Sequence, residues 1–302
     1  MIDLTIVIPT KNDGERLSEC LQAIGRGFAS EIVVVDSCSQ DATASIAAEH
    51  GATLVQFQWD GKFPKKRNWF LRNHTPKTRW VLFLDSDEIL SDDFKRELAN
   101  TLPKSKASGY WLNYSIYFLG QELKHGYPLK KLALFRVGAG EYERIDESRW
   151  SHLDMEIHEH PIIDGEVGKI ESRIDHRDFR DVSHYIAKHN EYSSWEARRF
   201  LQMKTRGETT MPLTLKQKIK YRLIESPFAG IVYFFGAYFM MGGFLDGKRG
   251  LAFAILKMGY FTQVYCKIQE LQIAPGEATQ MGVVKSNHEC PESALQSTQP
   301  VP

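Results

Sequence analysis

Cysteine is scarce in this 302-residue chain: only Cys20, Cys38, Cys266 and Cys290, far apart and without a CxxC pair. That spacing is neither a disulfide framework nor a zinc site, and a reducing compartment fits best. An excess of one charge is lacking too. The 38 Lys and Arg residues balance 38 Asp and Glu, for a formal net charge of +0. A general nucleic-acid binder is therefore not expected. No basic region precedes the first apolar run, so the N-terminus is not read as a secretory signal. There is no internal repeat at solenoid or propeller periods. HExxH is absent: His158-Glu159 is followed at the required position by Ile162. No glycine-rich phosphate loop follows the first apolar run, where Pro9-Thr10-Lys11-Asn12 stands instead.

What is present is the material of a core, with 42% hydrophobic and 25% charged residues. The length suits one large α/β domain with an appendage, or two domains. Leu4 to Thr10 reads as a β-rich run that ends at Pro9. Apolar positions at Leu17, Leu21 and Ile24 give a helix over 15–24. Glu31 to Asp36 is a second buried strand that ends in a carboxylate, followed by a helix with Ala42, Ile46 and Ala47 inward. Ala52 to Phe57 is a third strand. Strand alternating with helix is the pattern of a parallel sheet with right-handed crossovers.

A fourth buried strand, from Trp80, runs into Asp85-Ser86-Asp87-Glu88. Ligands of open α/β sheets gather beyond such strand ends. Two hard oxygen donors there suit Mg²⁺ or Mn²⁺. The competing reading is a helix cap, a role that Ser91, Asp92 and Asp93 also offer. Before this strand, Lys65-Lys66-Arg67 leads into a helix over 69–73. An anionic ligand would explain these cations, but the commoner explanation is a solvated charge run.

Residues 109–118 and 131–136 read as strands, joined by a loop carrying His125 whose aromatic and basic neighbours either line an acceptor pocket or build the sheet. The segment from His152 to Pro161 carries three histidines and Glu156 and Glu159. If extended, it puts the two glutamates on opposite faces, so that one of them faces a cleft as a base. The alternatives are a zinc site of His152, His158 and His160, or a polar edge strand. A long helix over 181–205 follows, with Tyr185, Ile186, Tyr192, Phe200 and Leu201 inward and its charges mostly solvated.

The uncharged run from Pro227 to Leu245 has the length of a bilayer span, ~17–25 residues. It is rich in Gly and aromatics, however, and has cations on both flanks. A second apolar stretch, 251–264, contains Lys257. A pair of helices lying in or dipping into one leaflet is the favoured reading, ahead of a true span or a buried contact. The resulting divisions are 1–225, 226–272 and a disordered tail at 273–302.

Four features in order closely resemble the family 2 glycosyltransferases of the GT-A fold. They are Ile6-Val7-Ile8-Pro9-Thr10-Lys11-Asn12, Val33-Val34-Val35-Asp36-Ser37 with Ser39, Asp41 and Thr43, Lys66-Arg67-Asn68, and Leu84-Asp85-Ser86-Asp87-Glu88. The second half is similar to the bacterial branch that builds lipopolysaccharide core and related envelope glycans. There the similarity rests on Ile157-His158-Glu159, Asp175-His176, Tyr185-Ile186 and Gly243-Phe244-Leu245-Asp246-Gly247. The resemblance implies a mostly parallel, Rossmann-like sheet flanked by helices, with an apolar helical appendage. It implies that Asp36, Pro9, Thr10, Arg67 and Asp85 face the nucleotide and that Asp87, with His176, holds Mg²⁺ or Mn²⁺. Glu159, or less favourably Glu156, is the implied base. The implied activity is inverting, metal-dependent transfer of a hexose from a nucleotide sugar to a lipid-linked acceptor, at the cytoplasmic surface of the inner membrane. The rivals are a nucleotidyltransferase and a catalytically silent scaffold.

Overall fold

The computed structural model describes residues 1–145, 147, 150, 151, 154, 160–206 and 215–273. Its first four strands are β1 (Ile2–Thr10), β2 (Ala29–Asp36), β3 (Thr53–Gln56) and β4 (Trp80–Phe83). They alternate with α1 (Gly14–Ile24), α2 (Thr43–Glu49) and α3 (Lys66–Asn73). The strands pair in the order β3-β2-β1-β4, all in parallel. Along β1, Leu4, Ile6 and Ile8 pack with Leu17 and Leu21 of α1, while Val7 packs on the other face with Phe70 and Phe83. The strand's period of two thus serves two cores.

β1 runs through Pro9 to Thr10, past its expected end. β4 pairs with β1 only over Leu4 to Val7. The missing N–H of Pro9 therefore falls beyond the β4 ladder, where it breaks no central pairing.

After β5 (Glu88–Leu90) and α4 (Asp92–Thr101), the chain forms β6 (Gly109–Phe118), β7 (Gln121–Leu123), β8 (Leu129–Arg136), β9 (Gly140–Tyr142), β10 (Pro161–Ile163) and β11 (Val167–His176). β8 inserts between β4 and β6, antiparallel to both. β11 lies parallel to β6 and antiparallel to β5. The sheet order is β3-β2-β1-β4-β8-β6-β11-β5, with β7 paired to β6. The architecture is α/β as expected, parallel over its first four strands and mixed beyond them. Ser91 caps α4 by accepting from the Phe94 amide at 3.2 Å, which leaves the carboxylates of 85–88 free of that task.

The C-terminal region consists of α5 (Val182–Arg206), α6 (Leu215–Ile224), α7 (Ala229–Phe235) and α8 (Gly247–Ile273). Ala197 and Phe200 of α5, Ile224 of α6, and Val264 and Ile268 of α8 share one apolar cluster. Ile186, expected inward, is 46% exposed, because α5 packs through the turn of Tyr185, His189 and Tyr192 instead. Between α7 and α8 the chain bends by 75°. Among the described residues no single helix is long and apolar enough to cross a membrane. The bend is a close backbone contact: a Cβ on Gly250 would lie 2.0 Å from the Gly243 carbonyl oxygen.

Cys20 and Cys266 are free thiols.

Candidate active site

The site is built on the turn that follows β4. The Leu84 amide donates to the Val7 carbonyl at 3.0 Å, carrying the β1–β4 ladder one residue past β4. The chain then turns, and the Glu88 amide donates to the Asp85 carbonyl at 3.0 Å. The turn gives Asp85 and Asp87 different neighbours.

Asp85 is held between two cations. Arg67 Nη2 lies 2.7 Å from its Oδ1 and Lys131 Nζ 2.8 Å from its Oδ2. Burial opposes ionisation, but Lys131 and Arg67 hold the carboxyl well below its usual range. Lys131 also reaches Glu88 Oε1 at 2.5 Å. Burial, joined by Asp85 and Asp87, pushes Glu88 up to about 8.

Asp87 meets Arg16 Nη1 at 3.3 Å through Oδ2. Among the described residues its Oδ1 is buried without a hydrogen-bond donor, and it lies 3.6 Å from His176 Nε2. Burial, reinforced by Asp178 and Asp85, raises this carboxyl to about 7. Burial, reinforced by Lys131, lowers His176 to about 3, so its ring is neutral at ordinary pH. β11 delivers the histidine, which stands opposite Glu88 in the antiparallel ladder. The Arg177 amide then donates to the Asp87 carbonyl at 2.9 Å.

A hard divalent cation fits this arrangement. An orphaned carboxylate oxygen and a neutral imidazole nitrogen face each other, and the Asp87 carboxyl is raised first by burial and then by the neighbouring Asp178 and Asp85. No group of three or more candidate ligands occurs among the described residues. Two protein donors with phosphate oxygens and water are the usual complement for Mg²⁺. Beside Asp87 opens a cleft of about 510 Å³, lined by Asp13, Arg16, Ser86, Arg177 and Arg180 among others.

Asp36 ends β2 at 1% exposure. It accepts from the Ser39 amide at 3.0 Å, Gln56 Nε2 at 3.1 Å and the Ser39 hydroxyl. Thr10 Oγ1, at the end of the adjacent strand, is buried without a hydrogen-bond partner among the described residues. Pro9 pairs with Val35 in the same ladder. The structure thus gathers Pro9, Thr10 and Asp36 at the end of β1 and β2, and Arg67, Asp85, Asp87 and His176 around the β4 turn. Glu156 and Glu159 lie outside the described residues, as do His152 and His158 of the alternative zinc site.

The basic stretch before β4 is not a solvated charge run. Lys65, Lys66 and Arg67 are 4%, 2% and 9% exposed, and α3 begins at Lys66, three residues earlier than expected. Lys65 pairs with Glu147, which also accepts from Trp195 Nε1 at 2.7 Å. Lys66 Nζ donates to the Thr10 carbonyl at 3.0 Å and lies 3.4 Å from Asp154. Asp154 in turn accepts from the Ser37 hydroxyl. Buried lysines persist only when paired in this way.

His125 is likewise absorbed by structure, its ring 3.1 Å from Asp246 beside the 75° bend. Sequence reasoning missed Arg16 and Lys131. Arg16 looked like any helix-start residue. Lys131 heads the apolar run from Leu132 to Phe135, and that lone charge beside a buried strand was the available signal.

The model of the family described as Glycosyl transferase family 2 matches residues 5–153. The chain is 24% identical over 290 residues to an uncharacterized glycosyltransferase of Rickettsia bellii, covering 94% of this chain and 92% of that protein. It is 25% identical over 275 residues to the lipopolysaccharide core biosynthesis glycosyltransferase LpsC of Rhizobium meliloti, covering 84% and 90% respectively. A TPR repeat-containing protein of Synechococcus elongatus is 30% identical over 110 residues. That match covers 36% of this chain, which spans only 27% of that protein's length.

Proposed function

We propose that the chain, whose residues 5–153 match the family 2 glycosyltransferase model and which is similar to glycosyltransferases over most of its length, transfers a hexose, with inversion, from a UDP-sugar to a lipid-anchored saccharide. A glucose-like sugar and a lipopolysaccharide-core acceptor are the preferred identities. The observation that carries the reading is the buried, donorless Oδ1 of Asp87 facing the neutral ring of His176 at 3.6 Å. The LpsC-like relative, aligned over 84% of the chain, supports the acceptor class.

Asp87 and His176 would hold Mg²⁺ or Mn²⁺, which neutralises the charge of the departing diphosphate. The chain's own groups do the rest. Asp36, Pro9 and Thr10 bound the nucleoside. Asp85 fixes the Arg67 guanidinium at 2.7 Å, so that a cation stands ready beside the phosphates. The acceptor hydroxyl loses its proton to a carboxylate, for which Glu159 is the first assignment and Glu156 the second. A single base suffices because the nucleotide leaves from the opposite face.

Residues 1–225 make up the catalytic part in this reading, and 226–272 the part that meets the cytoplasmic face of the inner membrane. Phe228, Phe235, Phe239, Met240, Phe244 and Leu245 are all 48–88% exposed around the bend, a surface that fits a lipid interface better than water.

The test is transfer itself. Purified protein with UDP-glucose, Mn²⁺ and a truncated lipopolysaccharide gains one hexose mass on the acceptor. Transfer that survives chelation and Asp87→Ala sinks the metal role. Failure of every nucleotide sugar on every lipid-linked acceptor sinks the reading.

A further inference from the structure

We propose that Lys131 is a positioning residue that divides the work of the two aspartates: it commits Asp85 to holding cationic side chains and so leaves Asp87 alone to take the metal ion. This rests on the reading above and deepens it.

Lys131 stands near the start of β8, the strand that pairs antiparallel with β4. From there its ammonium enters beneath the turn. It meets Asp85 Oδ2 at 2.8 Å and Glu88 Oε1 at 2.5 Å, and it lies 5.1 Å from the centre of the Tyr114 ring. Arg67 takes the other oxygen of Asp85 at 2.7 Å. Both oxygens of Asp85 are therefore engaged by positive side chains, and a divalent cation there would have to displace a charge already in place. Asp87 differs in this respect: one oxygen pairs with Arg16 at 3.3 Å and the other has no hydrogen-bond donor among the described residues. Three carboxylates packed into one turn would otherwise repel or share a proton. Lys131 is the residue that bridges two of them.

Two consequences of opposite sign follow from removing its charge. Asp85 is freed to join Asp87, and a positive charge leaves the neighbourhood of the cation site, so Mn²⁺ alone binds more tightly. The same loss removes a positive charge from the surroundings of an incoming diphosphate and leaves the Asp85 carboxylate less neutralised, so UDP alone binds more weakly. General damage to the fold weakens both.

The experiment uses the full-length chain and its Lys131→Met, Lys131→Gln and Lys131→Arg variants. Mn²⁺ binding is read from the electron paramagnetic resonance signal of the free ion, and UDP binding by calorimetry without metal. Expected is a gain in Mn²⁺ affinity on the order of tenfold with a several-fold loss for UDP in both uncharged variants, and wild-type behaviour in Lys131→Arg. Lys131→Gln keeps a hydrogen-bond donor and serves if Lys131→Met does not fold. Affinities that stay unchanged, or fall together, overturn the role of Lys131. Wild-type protein that binds neither Mn²⁺ nor UDP overturns the glycosyltransfer reading, and this inference with it.

Discussion

Arg16 reaches Asp87 with one nitrogen of its guanidinium, at 3.3 Å, and the backbone oxygen of Asp178 with another, at 3.2 Å. It thereby covers Oδ2 of Asp87 and turns Oδ1 toward His176. The first turn of α1 sets the orientation of a carboxylate in the turn after β4. Asp87→Asn keeps the shape of this pair and removes the charge. A ligand present at 100 times its Kd stabilises a fold by about 2.7 kcal/mol, which at about 2–4 °C per kcal/mol for a chain of 150–250 residues is roughly 5–11 °C. The wild type is expected to gain a rise of that order from Mn²⁺ with UDP, and Asp87→Asn to gain none, by thermal unfolding.

The buried pair of Lys65 and Glu147 predicts an asymmetric mutational pattern. Their side chains are 5% and 3% exposed. Removing one partner strands a charge away from water and costs about 3–5 kcal/mol. Lys65→Met alone should lower the urea midpoint accordingly, and Lys65→Met with Glu147→Leu should recover most of the loss.

His189 predicts a pH effect on stability. Burial, together with the Lys257 ammonium 3.1 Å from Nε2, lowers its pKa to about 4. Lys188 opposes protonation as well, and Asp178 favours it. The unfolded chain takes up this proton near pH 6.5 and the folded chain only near 4. Stability from this group is therefore complete above pH 6.5 and is lost as pH falls toward 4, by roughly 1–3 kcal/mol. His189→Gln should flatten that part of the stability profile between pH 7.5 and 5, and Lys257→Met, which raises the folded-state pKa of His189, should make the loss smaller and end it at a higher pH.

Gly250 sits within α8, where Ala is ordinarily better than Gly by about 0.8–1.0 kcal/mol. Here the sign reverses. The added methyl would meet the Gly243 carbonyl oxygen at 2.0 Å and the Asp246 Cβ at 3.0 Å. Crowding of that kind costs about 1–3 kcal/mol, enough to outweigh the helix preference. Gly250→Ala should unfold at a lower temperature than the wild type.

The exposed aromatic face makes a separable prediction. Phe235 and Phe239, 55% and 52% exposed, stack on each other at 5.5 Å and touch none of the residues around Asp87. Phe235→Ser with Phe239→Ser should release the protein from anionic lipid vesicles in a sedimentation assay while its UDP affinity stays the same. Undiminished vesicle binding would refute the lipid-facing role of this surface.

Much of this was legible in the sequence for identifiable reasons. β1, β2, β4 and β6 are runs long and apolar enough that only burial accounts for them, and β6 has the same limits as its sequence pattern. The three carboxylates after β4 stood out because they end such a run. The burial of Lys65, Lys66 and Arg67 was not legible. It depends on Glu147, Asp154 and Asp85, partners up to 88 residues away that meet them only through the fold. Lys131 was hidden for the same reason. β8 inserts beside β4 from a later part of the chain, and no local pattern announces that insertion. The mixed half of the sheet escaped notice because aromatic strands read alike in either direction. The base is a different matter, since Glu156 and Glu159 lie outside the described residues.

β11 is parallel to β6 yet antiparallel to β5, and it ends on His176 opposite Glu88. The first four strands and the carboxylate turn are complete by residue 88, but the imidazole facing that turn comes from the chain's second half. During synthesis the first four strands can therefore take shape well before the proposed cation pocket has both of its protein donors. Under that proposal a nascent or prematurely ended chain is denied a finished metal site, and competence for chemistry waits until the segment leading into α5 has emerged from the ribosome and docked.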